Sequence, residues 1–477
     1  MSTYANPSIA QAMASVAAAT AKAAADPTRP VYHFRPPAQW MNDPNGTIYH
    51  NGYYHVFYQH NPYGDDWGHM HWGHTRSRDL VHWEHLPIAL WPSYELGEEH
   101  CFSGCAWLTE QGQPLLIYTE VPLKSNDQRL PNEQWAALGD ADWLTWQKHP
   151  DNPVLSLKTH GGPAFRGEWR DPFIFTEAGR TFMVIGGDYE EVAAVALYEA
   201  EDASMLHWRY CNLLYQEPRM GKVFLECPNF VKLGEKWLLI TAPYRNLEYI
   251  SGTFDVTSLT FHPEQRGVLD PGFSNGVPNF YASNILFDEQ HQPILLGWVR
   301  GFPKDRGWNG CLSLPRVLSL GADGHPRQQP IAALQTLRGH HTQVAGFTLD
   351  NRRQRVEQIQ GDTLEIIAQI TPGNAQTVGL RVRCSADDEQ AVAITFDGQT
   401  LRVADVAIPF TLNEQETTLK LHLFLDKSVL ELFVNDGRKT VTQLIDAATD
   451  ALGVEVVALG GAAQVEALDI WEMKSIW

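Results

Sequence analysis

Helical periodicity is nearly missing from this chain of 477 residues, and so are basic clusters, paired cysteines and long apolar runs. No stretch approaches the roughly 20 apolar residues that a membrane-spanning helix needs. Lys and Arg number 36 against 56 Asp and Glu, a formal net charge of −20 with no Lys/Arg cluster. That balance argues against nucleic acid and against an anionic membrane surface as partners, and it suits a neutral ligand. The six cysteines, at 101, 105, 211, 227, 311 and 384, form no CxxC pair and no zinc-like spacing. Cys101 and Cys105 could close a disulfide around Phe102-Ser103-Gly104, but buried free thiols are favoured, and the usage favours a reducing compartment. A Gly-rich phosphate loop and a dinucleotide fingerprint are both absent, which removes the common nucleotide-binding motifs. The first 30 residues lack a basic segment before an apolar core, and their apolarity is mostly Ala. They read as a short helix with Ile9, Met13 and Val16 on one face, ended near Asp26-Pro27, and not as a signal peptide. A cytoplasmic location is the expectation, with export left open.

What the chain has instead is strand. It carries 16 Trp and 16 Tyr, which suit β cores and surfaces that stack on sugars. From Val31 to about 330, short strands alternate with Gly, Pro, Asn and Asp turns: Tyr53–Tyr58, Leu115–Tyr118, Thr181–Ile185, Trp237–Ile240 and Pro293–Trp298. Polar or aromatic positions in short motifs recur at Asp43, Phe102, Asp171, Glu226 and Tyr281, some 55–70 residues apart. Such a period predicts propeller blades of about four strands, whose innermost strands bring distant residues to one channel. Residues 331–344 read as a linker with a short helix-like start. The run from 345 to 477, with strands such as Thr363–Ile367, Leu419–Phe424 and Val429–Val434, reads as a β-sandwich.

Three acidic motifs stand out: Asn42-Asp43-Pro44, Arg170-Asp171-Pro172 and Glu226-Cys227-Pro228. A following proline predicts extended backbone before it, and so a defined side-chain direction. Singly, each is an ordinary surface turn. Together they surpass that explanation, because the chain resembles glycoside hydrolase family 32, the β-fructofuranosidases, from Val31 to its C-terminus. The resemblance rests on Trp40–Gly46, Tyr58-Gln59-His60-Asn61-Pro62, Trp72-Gly73-His74 and Phe102-Ser103-Gly104. It continues through Phe280-Tyr281-Ala282-Ser283 and Leu425-Asp426-Lys427-Ser428 with Asn435-Asp436-Gly437.

The resemblance implies an all-β fold, a five-bladed β-propeller followed by a C-terminal β-sandwich. It also implies a retaining double displacement on a small-molecule or oligosaccharide fructoside. Asp43 would be the nucleophile, Glu226 the acid/base and Asp171 a binder of fructose hydroxyls. Glu226 is then expected with a raised pKa, and Asp43 ionised through hydrogen bonds to its charged form. Arg170 would orient the acid/base. Asn42, Gln59 and Ser103 would bond the sugar, Trp67 and Phe102 would wall it, and Tyr281 and Trp298 would contribute from the last blade. No cofactor and no metal are implied, so the His69-Met70-His71-Trp72-Gly73-His74 run is not assigned as a metal site. Assembly into a homo-oligomer stays open. Phe224-Leu225, Cys105, Asn229 and Asn279 depart from the commoner family pattern, which leaves the substrate among sucrose, sucrose 6-phosphate, levan and inulin. Three other functions remain: a fructosyltransferase on the same scaffold, a non-catalytic fructan-binding protein and an arabinan-cleaving relative.

Overall fold

A computed structural model describes residues 7–124, 130–166, 168–190, 192–217, 224–387 and 389–477. The chain is nearly all β, with one long helix, Pro7–Ala24, at its start. That helix buries Ile9, Ala12, Val16 and Ala23, the stripe spaced for one helical face. Ile9 and Ala12 rest on Ile88, whereas Val16 and Ala23 meet Val299, Phe302 and Trp308.

Five antiparallel sheets form a five-bladed propeller. Their innermost strands are Gln39–His50, Glu98–Leu108, Trp169–Glu177, Glu226–Leu233 and Phe280–Phe287, in blades 1 to 5. The first of these packs against the second and the fifth, so the ring closes. Trp308–Asn309 from the end of the propeller pairs in parallel with Gln39–Trp40 and adds a fifth strand to blade 1. Strands covered on both faces read as continuous apolar runs, as Leu115–Tyr118 and Leu238–Ile240 do. Blades 3 and 4 are joined by aromatic packing, with Phe230 and Trp237 stacked at 4.6 Å and Phe175 edge-on to both.

The same irregularity recurs in every innermost strand. Three residues of it span two of its neighbour between Met41 and Pro44, Cys101 and Gly104, Arg170 and Phe173, Glu226 and Asn229, and Tyr281 and Asn284. Each is a one-residue β-bulge, a device that re-aims side chains at a sheet end. The bulge overrides the extended backbone predicted before proline. Asp171 and Cys227, which precede Pro172 and Pro228, have φ of +67° and +47°, and Ala282 has +46°. Side chains at such φ cost on the order of 1–3 kcal/mol each and collect at functional sites. Two glycines permit the close approach. A Cβ on Gly104 would sit 2.1 Å from the Ile117 carbonyl oxygen, and one on Gly186 would sit 2.3 Å from that of Leu225.

The C-terminal part is an 11-stranded sheet curled on itself like a sandwich. Alternation along its strands turns the aliphatic side chains inward, and Leu364, Ile366, Leu380, Leu423, Leu432 and Val456 lie in one buried cluster. The last strand, Gly453–Met473, runs through 21 residues and pairs with four others. The stretch expected as a linker divides in two. Ala332–Leu337 is a 3-10 helix, and Arg338–Val344 is a strand on that long last strand.

A buried ionic network ties propeller to sandwich. Arg316, wholly buried, donates to Glu431 at 2.8 Å, Asp270 at 3.1 Å and Gln328 at 2.8 Å. His33 bonds Asp426 at 2.8 Å and Glu431 at 3.2 Å. Backbone N–H groups of Val31, Tyr32 and His33 also donate to the Asp426 carboxylate. Despite its burial, His33 is pushed up to about 9 by the two carboxylates it bonds, so it is a cation in this setting.

Candidate active site

The five bulges face one end of the central channel, and a cavity of about 390 Å³ opens there. It is lined by Asn42, Asp43, Gln59, Trp67, Phe102, Arg170, Asp171, Glu226, Tyr281 and Trp298, together with Trp40, Tyr244 and Arg300. Ser103 is absent from the lining but bonds directly to Asp43, which is part of it. The structure thus gathers every candidate residue into one place.

Blades 1 and 2 hold Asp43. Ser103 Oγ donates to Asp43 Oδ2 at 2.5 Å and accepts from Gln59 Nε2 at 2.7 Å. Asn42 Nδ2 reaches both Gln59 Oε1, at 2.8 Å, and Asp43 Oδ1, at 3.0 Å. Trp40 fixes Asn42 in turn, its indole N–H donating to Asn42 Oδ1 at 2.7 Å. Both oxygens of Asp43 are therefore held by a chain of side chains that leaves little freedom in its orientation.

Blades 3, 4 and 5 hold Glu226. Arg170 donates to Glu226 Oε1 at 2.7 Å, and the Tyr281 hydroxyl donates to Oε2 at 2.6 Å. Arg170 is nearly buried, pairs also with Glu168, and lies over the Phe224 ring at 4.1 Å. Its nearby anions, Asp171 and Glu226 first, hold it firmly charged against the effect of burial. Tyr244 accepts from Arg170 at 2.7 Å, and its backbone N–H donates to the Tyr281 oxygen at 2.9 Å.

Asp171 sits between these two groups. Its Oδ2 accepts the Cys227 N–H at 2.9 Å, and its own N–H donates to Thr119 at 2.9 Å. The Cys227 thiol lies 3.5 Å from Asp43 Oδ2 and 3.7 Å from Asp171 Oδ2. The residue that follows Glu226 therefore touches both other acids.

Asp43 and Asp171 are both shifted upward by their surroundings. Burial pushes the Asp43 carboxyl above its usual range, against the bonds from Ser103 and Asn42 and with help from the Glu226 charge. Asp171 goes further, to about 7: burial lifts it, Arg170 opposes, and the charges of Glu226 and Asp43 add to the rise. Removal from water is the largest cause of each rise.

Trp67 is half exposed and meets Phe102 edge-on at 6.0 Å, forming one wall. Trp298 packs edge-on to Trp40 at 5.5 Å, and its buried indole N–H has no partner among the described residues. Three residues escaped the sequence reading. Cys227 is visible only inside its motif. Tyr244 lies two residues beyond Ala242, which pairs with Glu226, and Arg300 lies just beyond Val299, which pairs with Phe280. The histidine run scatters: His74 faces His55 at 3.0 Å, and His71 bonds the His69 carbonyl. Among the described residues no group of three metal-ligating side chains occurs, no disulfide joins the six cysteines, and no helix is long and apolar enough to cross a membrane.

Comparison with known proteins agrees in both halves. Residues 33–330 match the family model for the glycosyl hydrolases family 32 N-terminal domain, and 333–472 match that for the family 32 C terminal. A levanase of Bacillus subtilis is 30% identical, over 94% of this chain and 71% of the relative. A sucrose-6-phosphate hydrolase of Zymomonas mobilis is also 30% identical, over 93% and 92%. The structure of a β-fructofuranosidase of Bombyx mori in complex with sucrose superimposes with a TM-score of 0.82 at 26% identity, covering 99% of each chain. This chain belongs to glycosyl hydrolase family 32, whose relatives named here are glycoside hydrolases acting on sucrose or fructans.

Proposed function

We propose that the chain releases terminal β-D-fructofuranosyl units from sucrose or a related fructoside by a retaining double displacement. Asp43 attacks the anomeric carbon as Glu226 protonates the leaving oxygen, and a covalent fructosyl-enzyme results. Glu226 then removes a proton from water, which attacks the same carbon and frees Asp43. Retention requires the two carboxyls about 5–5.5 Å apart. The contact that carries this reading is the Cys227 thiol, bonded to Asp43 while its own residue follows Glu226 directly. Asp43 belongs to blade 1 and Glu226 to blade 4, so they approach one furanose from different sides of the channel.

The remaining groups serve the charge that develops. Asp171, with its pKa near 7, offers the fructosyl hydroxyls either a donor or an acceptor. Hydrogen bonds to those hydroxyls strengthen as the ring becomes oxocarbenium-like. Arg170 and Tyr281 hold Glu226 toward the leaving oxygen. The relatives named levanase and sucrose-6-phosphate hydrolase bring fructan and phosphorylated sucrose into consideration beside sucrose. The test is a rate comparison on sucrose, sucrose 6-phosphate, levan and inulin, with Asp43→Ala and Glu226→Ala alongside. Free fructose should be the common product, and both variants should lose several orders of magnitude while staying folded. Mostly trisaccharide at high sucrose would point to transfer in place of hydrolysis. Near-normal turnover in Glu226→Ala would remove it from the acid/base role.

A further inference from the structure

A second cavity, of about 560 Å³, lies between propeller and sandwich. Thr28 and Arg306 wall it on the propeller side, and Asp362, Arg383 and Lys427 on the sandwich side. It shares no lining residue with the cavity of the candidate active site. Its size is that of a small-molecule site.

Arg383 is the unusual member of its wall. Between Val382 and Cys384 three residues of the strand Thr377–Cys384 span two of the last strand, so Arg383 is the extra residue of a β-bulge. Its φ of +53° lies in the left-handed region, a strained place for a residue with a side chain. The bulge takes Arg383 out of the alternation of its strand and into the cavity wall.

The side chain is only 4% exposed, yet its hydrogen bonding is incomplete. Nη2 donates to the Ala448 carbonyl at 2.8 Å and the Ala447 carbonyl at 3.5 Å. Nε and Nη1 are buried without a hydrogen-bond partner among the described residues. Nη1 lies 3.1 Å from Asp362 Oδ2, but off the line of a hydrogen bond. Arg316, equally deep, differs: all three of its nitrogens donate, to Glu431, Asp270, Gln328 and Thr442. Buried donors left over in this way mark the place of a missing partner.

The charges of the wall run the same way. Lys427 Nζ donates to both oxygens of Asp362, at 3.0 and 3.1 Å, so one carboxylate faces two cations. Arg306 has its own anion in Asp26, at 3.5 Å. Asp405 and Asp446 also line the cavity, but both are exposed, and water screens them. One positive charge is left over at the buried end, in a chain whose net charge is −20.

We propose that this interdomain cavity binds an oxyanion, the phosphate or carboxylate group of a small molecule, through Arg383 and Lys427. A guanidinium with free N–H groups gives such an anion directed, charge-assisted hydrogen bonds, and the ammonium adds a point charge. Thr28 and Arg306, joined by a hydrogen bond, face the same space, so the bound molecule lies between the two halves of the chain.

The experiment is calorimetric titration of the full chain with inorganic phosphate and, separately, with acetate, at an ionic strength held constant with chloride. Expected is saturable binding of at least one of them, at one equivalent per chain. It should weaken about tenfold or more in Arg383→Gln and survive in part in Arg383→Lys. The anion bound more tightly tells a phosphoryl ligand from a carboxyl one. Binding should persist in Arg300→Gln, whose cation belongs to the other cavity. Crystals of the parent soaked in selenate give a readout that needs no variant, and an anomalous peak beside Arg383 is expected. Absence of saturable binding of either anion overturns the inference, as does an unchanged affinity in a folded Arg383→Gln. Binding lost in Arg300→Gln, or a selenate peak in the propeller channel alone, overturns it too. Should Arg383→Gln fail to fold, the position of the selenate peak decides.

Discussion

Replacing Ser103 with Ala removes two hydrogen bonds, one given to Asp43 and one accepted from Gln59, of which the first acts on the carboxylate directly and makes the consequence calculable. The hydroxyl donates to Asp43 Oδ2 at 2.5 Å, and Asp43 keeps the Asn42 amide at 3.0 Å on its other oxygen. A hydrogen bond to a charged group contributes about 1.5–3 kcal/mol. It stabilises the carboxylate and not the acid, so its loss pushes Asp43 further in the direction that burial already drives it. The acid limb of kcat/KM for sucrose, which reports the free enzyme, should move to higher pH. Below that limb the variant should lose about 10- to 150-fold, the same free energy expressed as a rate at about 1.4 kcal/mol per tenfold. Above it, where Asp43 is ionised in both proteins, the loss should stay within about tenfold because the Asn42 bond still orients the carboxylate. A steady-state pH series on parent and variant reads all three quantities. A uniform loss at every pH with an unmoved limb would refute the reasoning and make Ser103 a substrate contact alone.

Glu226→Ala should regain its first step on a fructoside with a good leaving group, whereas Asp43→Ala should not, as pre-steady-state release of the leaving group will reveal. Arg316→Met should lower stability by about 3–5 kcal/mol, since it strands Asp270 without a cation in a buried site and leaves Glu431 with His33 alone. A urea midpoint within error of the parent would contradict that. His33 has a folded-state pKa raised from 6.5 to about 9, so its contribution is complete below pH 6.5 and disappears as pH rises through 9. The span corresponds to roughly 3 kcal/mol, and His33→Gln should flatten the fall in stability across that window.

What is legible in the sequence is whatever a short motif can carry. Asp43, Asp171 and Glu226 each stand beside or near a proline, which has no N–H to give to the ladder, and their spacing announces a blade apiece. The geometry that makes them converge is not legible. The proline predicts extended backbone at Asp171, yet the extra residue in the strand turns it to a positive φ, and only the pairing with Gly186 and Val184 reveals the bulge. Tyr244 and Arg300 carry no motif at all; their place depends on register within blades 4 and 5 and on closure of the ring. The strand Arg338–Val344 reads as a linker because its side chains are largely polar and exposed, which leaves no alternation to detect. Burial sets the protonation pattern, and burial is a property of the assembled channel. That is why Asp171 near 7 does not follow from its motif.

The identity of the nucleophile bears on everything else. Glu226→Ala mixed with a fructoside bearing a good leaving group should stall after its first step, because no base remains to activate water. Peptide mass spectrometry of the quenched protein should then find one added anhydrohexose on the peptide containing Asp43, on that residue. An adduct on another side chain, or leaving-group release with no adduct and an inverted product, would contradict the double displacement through Asp43.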